Sequence, residues 1–440
     1  GKEHPRQLGV DDDAKVDGLC RLVDEIHQAG SKAIAHLNHA GRAANPKATG
    51  SPPEAPSEMV CPTSGATAQP MSAERVVEVV DAFVAAARRA RQAGFDGIEI
   101  QCGLGYLVAQ FYSGRTNQRT DDYGGDDASR TRFARDVVEG VCEAAGAELP
   151  VIARLSATEQ VDGGLGLDDA QRLAGQLASW GVQGLHVVTG SACDSPPWYY
   201  QHMGLPDGVN EGLAQQLKDA VELPVIVAGR LGEPLRIAEV IEGGQADYVA
   251  LGRPLVADPD LPRKMADGHA EQVLTCGSCL QGCLASVKAG KGLGCIVNPE
   301  VGREADAESR ADVARHVVIV GGGPAGLTAA VVAARRGHRV TLLERADELG
   351  GQFALAPLAP GKQAMERPLR ALLRQAESTE AEIHTGTEAT IEGIIELEPD
   401  VVVLAAGASP IRLEIPGLED AVTGNQVLTG EVDAGAEVLV

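Results

Sequence analysis

Pro150-Val-Ile-Ala-Arg154, the segment from Asp168 to Trp180, and Gly184-Leu-His-Val-Val188 follow one another in the chain. The first and third are short, apolar and rich in β-branched residues, as strands are, whereas the middle segment has helical periodicity. A strand, a helix and a second strand in this order predict two parallel strands joined by a crossover helix. This stretch therefore predicts an α/β fold.

The same alternation continues on both sides of this unit. The further strand-like runs are Ala33 to Leu37, Gly97 to Ile100, Leu223 to Ala228 and Asp247 to Leu251, and the further helical patterns are Ser72 to Ala93, Ala128 to Ala145 and Leu213 to Ala220. Strand and helix units with polar loops after the strands predict a TIM-type (β/α)8 barrel whose first two units are missing. A doubly wound open sheet is the alternative.

Polar residues follow the predicted strands at their C-terminal ends, where barrels of this type place their chemistry. They are His36, Asn38-His39-Ala-Gly-Arg42, Gln101, Arg154, Gly229-Arg230 and Gly252-Arg253. A glycine next to an arginine suits a phosphate, because backbone N–H groups can approach it closely and the guanidinium adds charge. The two late glycine–arginine pairs predict a phosphorylated cofactor at the last two strands.

A glycine-rich loop marks a second nucleotide-binding region. The strand-like run 316–320 leads into Gly321-Gly-Gly323-Pro-Ala-Gly326, a helical pattern follows, and the next strand closes at Glu344. A G-x-G-x-x-G motif between a strand and a helix is typical of dinucleotide-binding folds. Gly321 would permit the tight turn, Gly323 would admit the pyrophosphate, and Gly326 would let helix and sheet approach. Glu344 would accept hydrogen bonds from ribose hydroxyls.

Four cysteines lie between the two regions, in Cys276-Gly-Ser-Cys279-Leu-Gln-Gly-Cys283 and at Cys295. The C-x2-C-x3-C spacing with a fourth, more distant thiol favours an iron–sulfur cluster. A structural zinc site is the alternative, although zinc sites more often show two C-x2-C pairs. Disulfide pairing is less favoured, because nothing N-terminal is typical of a secretion signal.

The composition restricts the class of protein. The 440 residues allow two to four domains, and 44% hydrophobic content is ample for buried cores. The net charge of −24 argues against nucleic acid or an anionic membrane as a partner, because both would repel it. No apolar run reaches the length of a membrane span, and we expect a cytoplasmic protein. We expect five other cysteines to be reduced and buried: Cys20, Cys61, Cys102, Cys142 and Cys193.

The sequence predicts three regions and two cut ends. We place the barrel at 1–265, the cysteine segment and linker at 266–310, and the Rossmann-like domain at 311–440. The chain begins at Gly1 without an initiator Met, and it ends in Glu437-Val-Leu-Val440, a run typical of the start of a strand. We therefore expect a fragment cut at both ends.

Several motifs, in their order and spacing, resemble the old yellow enzyme family. They are Asn38-His-Ala-Gly-Arg42, Gly94-Phe-Asp-Gly-Ile-Glu-Ile100, Gly105-Tyr-Leu107, Thr116 to Gly125, Ala228-Gly-Arg230 and Leu251-Gly-Arg-Pro-Leu255. With the cysteine run appended, the chain is similar to the 2,4-dienoyl-CoA reductase and trimethylamine dehydrogenase branch. The resemblance implies an FMN barrel, a [4Fe-4S] cluster and a C-terminal flavin and pyridine-nucleotide region.

The resemblance also implies roles for single residues. Arg154 would face the pyrimidine edge of FMN, and the two glycine–arginine pairs would hold its phosphate. His36 stands where the family commonly has a glutamine that contacts the flavin. Gln352 in Leu349-Gly-Gly-Gln352, and Gly407 after the strand-like run 401–404, resemble FAD-binding reductases. FAD is the predicted ligand of this region and ADP is the alternative, while the NAD(P)H-binding subdomain would begin beyond the last residue.

The predicted acid is a tyrosine. Many relatives have two histidines that hold a substrate carbonyl where this chain has Gln101-Cys-Gly-Leu104-Gly-Tyr106, so that only the Gln101 amide remains as a donor. Dienoyl-CoA reductases keep the tyrosine as proton donor, and Tyr106 is therefore the candidate, with simple packing as the alternative. His202, at the end of the aromatic loop 190–202, is a further catalytic candidate. That loop could cover the flavin, line an acyl pocket or cage a methylated ammonium.

The resemblance predicts an NAD(P)H-dependent oxidoreductase. Electrons would pass from NAD(P)H to FAD, singly through the cluster, and on to FMN, which would reduce an activated C=C bond in an unsaturated acyl thioester or enone. The predicted partner is thus a small-molecule substrate. The alternatives are a dehydrogenase that oxidises a methylated amine at FMN, and a non-catalytic electron-transfer flavoprotein.

Overall fold

The computed structural model describes residues 1–306, 309–411, 415, 416, 418, 421–435 and 438. The chain divides into two compact units. Unit 1 comprises Gly1–Gln201, Leu205–Leu231 and Arg236–Ala250, and unit 2 comprises His202–Gly204, Gly232–Leu235 and Leu251–Val440. The predicted region boundaries at 265 and 310 stay predictions.

Unit 1 is built on a six-stranded parallel sheet. The first nine strands of the chain are β1 (Ile34–Leu37), β2 (Glu54–Ala55), β3 (Met59–Val60), β4 (Thr67–Pro70), β5 (Gly97–Gln101), β6 (Val151–Ser156), β7 (Gly184–Val188), β8 (Val225–Ala228) and β9 (Tyr248–Ala250). The large sheet has the order β1-β5-β6-β7-β8-β9, while β2, β4 and β3 form a small separate sheet. A doubly wound sheet would reverse its strand order, so this sequential order excludes that alternative. The curled parallel sheet confirms the predicted barrel-type α/β fold.

Helices follow the strands of the large sheet. The first nine are α1 (Val16–Gln28), α2 (Pro46–Thr49), α3 (Ala73–Gln92), α4 (Leu107–Tyr112), α5 (Asp127–Ala145), α6 (Leu167–Ser179), α7 (Pro196–Tyr200), α8 (Glu211–Lys218) and α9 (Pro234–Glu242). Two long helices begin at side-chain caps, since Ser72 accepts a hydrogen bond from the backbone of Arg75 and Asp126 accepts one from Ser129. Such caps satisfy N–H groups that the first turn leaves unpaired.

The two faces of the large sheet differ in polarity, because successive side chains of a strand point to opposite faces. Ile98, Ile100 and Leu185 are fully buried. The alternate position Glu99 carries a carboxylate on the inner face, where it accepts hydrogen bonds from His36 and His186. Burial opposes ionisation, but these two hydrogen bonds lower the pKa of Glu99 below its ordinary value. This face of the sheet therefore carries a half-buried carboxylate beside two histidines.

Unit 2 contains the cysteine run and a four-stranded parallel sheet. Its strands are β10 (His316–Val320), β11 (Arg339–Leu343), β12 (Glu382–His384) and β13 (Val401–Leu404), in the order β12-β11-β10-β13. The remaining helices are α10 (Arg253–Ala257), α11 (Leu261–Ala266), α12 (Ser286–Lys288), α13 (Pro324–Arg335), α14 (Glu366–Glu377), α15 (Ile391–Glu396) and α16 (Gly424–Leu428). Ile319 of β10 and Leu342 of β11 pack with Leu327 of α13 in the core. This is the strand–loop–helix arrangement that the glycine-rich motif predicts.

The strands predicted from the sequence are present, with ends within two residues of the predicted ones. The prediction misses the strands β2 to β4 and β12, because runs of two to four residues carry too little periodicity. It also omits α1, although Val16, Leu19 and Val23 form its buried stripe. The run 437–440, predicted to open a strand, lies outside the described residues apart from Val438. Within the described part of the chain, none of the helices has the length and apolar character needed to cross a bilayer.

Candidate active site and cofactor sites

Tyr106 lies at the C-terminal end of the large sheet, directly before α4, and is 4% exposed. Its hydroxyl oxygen lies 2.6 Å from Oε2 of Glu3 and 2.6 Å from the hydroxyl oxygen of Tyr199. It shares a hydrophobic cluster with Val188 and Ala228, the last residues of β7 and β8. Burial, and then the negative charge of Glu3, raise the pKa of the Tyr106 phenol. The phenol therefore holds its proton at neutral pH.

Two glycines bring the loop after β7 against Tyr106. Gly190 has a φ of +90°, and a Cβ atom there would lie 2.7 Å from the backbone nitrogen of Tyr199. Gly105 has a φ of +69°, and a Cβ atom there would lie 2.3 Å from Oγ of Ser191. Only glycine fits at both positions, because the backbone is in the left-handed region and a Cβ atom would collide with the loop. The two glycines therefore allow Tyr199 to approach Tyr106 closely.

Gln101 and His36 lie together on the inner face of the sheet. Gln101 is 2% exposed, and its Nε2 lies 3.5 Å from Nε2 of His36. Nδ1 of His36 lies 2.6 Å from Oε1 of Glu99, and Nδ1 of His186 lies 2.6 Å from Oε2 of the same carboxylate. No sequence motif indicates a role for Glu99 or His186. Strand alternation is the signal that could have placed them beside His36.

Arg154 sits between Gln101 and His186 in the register of β5, β6 and β7. Its Nε is buried and has no hydrogen-bond partner among the described residues. Leaving such a donor unpaired costs about 1–3 kcal/mol, so the position favours a ligand that offers an acceptor. The pyrimidine edge of FMN offers acceptors, and Arg154 therefore fits the predicted contact.

The predicted phosphate ligands fall in both units. In unit 1, Gly229 has a φ of +135° and Arg230 is ion-paired with Asp207, with Nη2 to Oδ1 at 2.6 Å. In unit 2, a Cβ atom on Gly252 would meet open space, and Arg253 lines the cavity of the four cysteines. The carboxylate already balances the charge of Arg230. Phosphate binding by these residues stays a prediction.

Cys61 and Cys193 form a disulfide, so the prediction that both are reduced is wrong. The bond joins the end of β3 to the loop after β7 across 132 residues of sequence. The hydroxyl of Thr63 donates to the carbonyl of Cys193 at 2.9 Å beside it. The small sheet, which the prediction misses, creates this proximity. Of the other scattered cysteines, Cys102 is buried, while Cys20 and Cys142 are half-buried.

A buried ion pair anchors the loop after β7. The side chains of Arg42 and Asp194 are 2% and 5% exposed and contact each other, and Arg115 lies 3.0 Å from the second oxygen of Asp194. Burial lowers the pKa of Arg42 to about 10, which leaves it protonated at neutral pH. The arginine of the Asn-His-Ala-Gly-Arg motif thus holds the loop that carries Tyr199.

The four predicted metal ligands line one cavity of about 20 Å³ in unit 2. Ser278 and Leu280 turn the chain with φ values of 52° and 62°, and the N–H of Ser278 donates to Sγ of Cys276 at 3.4 Å. A Cβ atom on Gly282 would lie 2.7 Å from Cα of Cys295, so this glycine admits the fourth cysteine to the run.

The cavity offers four thiols, which are soft ligands for a metal group. Burial raises the pKa of Cys276 and of Cys279, so that binding of a metal group releases protons from these thiols. Four thiols with a backbone N–H directed at sulfur fit an iron–sulfur cluster. In the part of the chain that is described, no group of three or more His, Cys, Asp or Glu side chains is arranged to hold a metal ion. The cluster therefore stays a prediction.

The three motif glycines of the loop in unit 2, Gly321, Gly323 and Gly326, differ in their surroundings. Gly321 has a φ of +107°, and a Cβ atom there would lie 2.4 Å from the carbonyl oxygen of Ala405. A Cβ atom on Gly326 would lie 1.8 Å from the carbonyl oxygen of Gly321, which only close packing of α13 on the sheet produces. Gly323, directly before α13, faces open space. The loop thus fits a pyrophosphate at the N-terminus of α13.

The other predicted dinucleotide contacts surround this loop. The carboxylate of Glu344 accepts backbone hydrogen bonds at 2.6 and 2.8 Å, which orient it and leave further lone pairs for a ribose hydroxyl. The side chain of Gln352 donates to the carbonyl of Ala408, and Gly407 has a φ of +75°. These positions are compatible with the predicted FAD or ADP, and the choice between them stays a prediction.

The structure gives a local contact for His202, and it gives Tyr106 two hydroxyl partners that no sequence motif indicates. His202 follows α7 and accepts a hydrogen bond from the N–H of Gly204 at 3.0 Å, and its segment belongs to unit 2. Its catalytic role stays a prediction. The sequence prediction places Tyr199 in a lid or acyl pocket without a proton-transfer role, and it assigns nothing to Glu3, since no spacing connects Glu3 to Tyr106.

Comparison with known families agrees with both units. Residues 1–272 match the NADH:flavin oxidoreductase / NADH oxidase family. The chain belongs to this family. Residues 315–434 match the pyridine nucleotide-disulphide oxidoreductase family. The resemblance drawn from the motifs is thus confirmed, and the chain joins a flavin-type barrel domain to a nucleotide-binding domain of a flavin-dependent oxidoreductase.

Individual relatives extend over nearly the whole chain. The NADH oxidase of Thermoanaerobacter brockii is 38% identical and aligns with 100% of this chain and 69% of its own length. The cinnamate reductase of Clostridium sporogenes is 33% identical and aligns with 95% of this chain and 66% of its own length. The structure of a 2-naphthoyl-CoA reductase with 2-naphthoyl-CoA has a TM-score of 0.94 at 31% identity. The match covers 98% of this chain and 68% of that structure's chain. The chain therefore spans about two-thirds of the length of these relatives.

Proposed function

We propose that the full-length protein is an NAD(P)H-dependent reductase of an activated C=C bond, with an unsaturated acyl thioester or enone as substrate. The observation that carries the proposal is the buried Tyr106 hydroxyl at the strand ends, held between Glu3 and Tyr199. Reduction of such a bond needs a proton donor beside a hydride donor. The similarity to proteins named cinnamate reductase and 2-naphthoyl-CoA reductase favours an unsaturated acyl compound.

The residues of this chain would hold three groups. Arg154 would contact FMN, the four cysteines would hold a [4Fe-4S] cluster, and the loop from Gly321 to Gly326 with Glu344 would hold FAD. When bound, these groups supply two-electron acceptance from NAD(P)H, single-electron transfer and hydride. Tyr106 supplies the proton from its hydroxyl oxygen, and the buried amide of Gln101 can donate a hydrogen bond to a substrate carbonyl.

Oxidation of a methylated amine is the second candidate. Tyr106, Tyr199 and Tyr200 form a series of edge-to-face rings, with centroids 6.2 and 4.6 Å apart. Aromatic faces attract quaternary and protonated amines, so such a set could also receive a cation. The carboxylate of Glu3 beside Tyr106 would add to that attraction.

Anaerobic reduction of the flavin-loaded, full-length protein separates the two candidates. We expect NADH or NADPH to bleach the flavin absorbance, and an α,β-unsaturated acyl thioester such as a cinnamoyl or 2,4-dienoyl thioester to restore it. Bleaching by a tertiary methylated amine and none by NADH or NADPH would overturn the reductase assignment. Tyr106→Phe should bleach normally but recolour roughly 100-fold more slowly, since the loss of a general acid typically costs 10²–10⁴-fold.

A further inference from the structure

We propose, resting on the function proposed above, that Tyr199 is a positioning residue that returns a proton to Tyr106 in each catalytic cycle. Tyr199 contacts Tyr106 through its hydroxyl, and the two rings stand edge to face with an interplanar angle of 78°. The loop that leads to Tyr199 is anchored at Cys193 and Asp194. The hydroxyl therefore has a fixed place beside the predicted acid.

The direction of the two hydrogen bonds follows from the number of protons. An ionised carboxylate only accepts, so Tyr106 donates its single hydroxyl proton to Glu3. The hydroxyl of Tyr106 can then only accept from its other neighbour. Tyr199 is consequently the donor in the 2.6 Å contact between the two phenols.

The two partners of Tyr106 act on different protonation states. The negative charge of Glu3 favours the neutral phenol, which keeps Tyr106 protonated before substrate reacts. The O–H of Tyr199 instead points at the Tyr106 oxygen and stabilises it once the proton has left, as an oxyanion donor does. Tyr200, whose ring packs on Tyr199, and Arg154 of β6 are further ionisable groups that act on Tyr199.

Solvent replaces the proton that the product takes up. When the α-carbon of the substrate takes up a proton, the O–H bond of Tyr106 breaks and a phenolate remains. The hydroxyl of Tyr199 then gives its proton to that oxygen, and water reprotonates Tyr199. One proton from solvent enters the product in each cycle, and no electron passes through either tyrosine.

The test is a double-mutant cycle of Tyr106→Phe and Tyr199→Phe in the flavin-loaded, full-length protein. We expect Tyr199→Phe to slow recolouring of the NADPH-reduced protein by a cinnamoyl thioester about 10- to 100-fold and to enlarge its solvent isotope effect. In the Tyr106→Phe background the same change should slow it no further, because the oxygen that Tyr199 serves is absent. Equal slowing in both backgrounds would overturn the proposal.

Tyr112→Phe is the matched control. Its hydroxyl is buried and has no partner among the described residues, so this change removes a phenol oxygen without breaking a hydrogen bond. We expect it to alter neither recolouring nor the isotope effect.

Thermal unfolding of the four proteins of the cycle gives a readout without substrate. The loss in melting temperature of the double variant should be smaller than the sum of the single losses, because one shared hydrogen bond is lost in each. Additive losses would overturn the contact on which the relay depends. Failure of the wild-type protein to recolour with any unsaturated thioester would instead overturn the proposed reduction itself.

Discussion

At the scale of single residues, two glycines of the nucleotide loop in unit 2 have different roles. Gly323 and Gly326 belong to the same loop and differ in their surroundings. A methyl group on Gly326 would meet the backbone of Gly321 at 1.8 Å, whereas a methyl group on Gly323 would meet nothing within 4 Å. One glycine serves packing of α13 on the sheet, and the other leaves room for a ligand.

We predict opposite outcomes for alanine at these two positions. Gly323→Ala should fold with unchanged melting temperature but retain less FAD, about 10- to 100-fold weaker in affinity, because a methyl group intruding on a packed contact costs about 1–3 kcal/mol. Gly326→Ala should lower the free energy of unfolding by about 1–3 kcal/mol, because backbone must move. Flavin content and thermal unfolding of the purified variants measure both effects. Wild-type FAD content in Gly323→Ala would show that the pyrophosphate binds elsewhere.

The roles of single residues could be predicted from the sequence only where a motif encodes them. Gly321, Gly323 and Gly326 could be predicted because the spacing of the motif reflects local geometry. The partners of Tyr106 could not, since Glu3 and Tyr199 are separated from it by 103 and 93 residues. The approach of Tyr199 depends on Gly105 and Gly190, whose steric role becomes visible only in three dimensions.

At the scale of elements, the loop between β7 and α7 determines where Tyr199 of α7 meets Tyr106. It is attached to the small sheet by the Cys61–Cys193 disulfide and to Arg42 by the Asp194 carboxylate. The strands of the large sheet and the helices α3, α5 and α6 could be predicted from periodicity. The small sheet and this attachment could not, because two-residue strands and a pairing across 132 residues leave no local signal.

We predict that Cys193→Ser destabilises unit 1 by about 2–4 kcal/mol, as removal of a disulfide that closes a long loop does. Cys20→Ser, at a half-buried free cysteine, is the control and should change the free energy of unfolding by less than about 0.5 kcal/mol. Peptide mapping without reductant should recover a Cys61–Cys193 linked pair. Alkylation of both cysteines in the native, unreduced protein would contradict the bond.

At the scale of the whole molecule, the chain combines two family domains with a cysteine segment between their sequences. The six strands of the large sheet and the strand–loop–helix unit around the glycine-rich motif could be predicted from sequence alone, because these elements have strong periodicity. The group held by the four cysteines could not be settled in that way. Spacing distinguishes a cluster from zinc only statistically, and both accept four thiolates.

The central claim, a flavoenzyme whose four-cysteine cavity holds iron and sulphide, is tested most directly by metal and sulphide analysis of anaerobically purified, full-length protein. We predict about four iron and four acid-labile sulphide per chain, the content of one [4Fe-4S] cluster. Cys295→Ala should lose most of both, whereas Cys142→Ser should lose neither, since Cys142 lies on α5 in unit 1. Stoichiometric zinc without sulphide, in protein that still binds flavin, would contradict the claim.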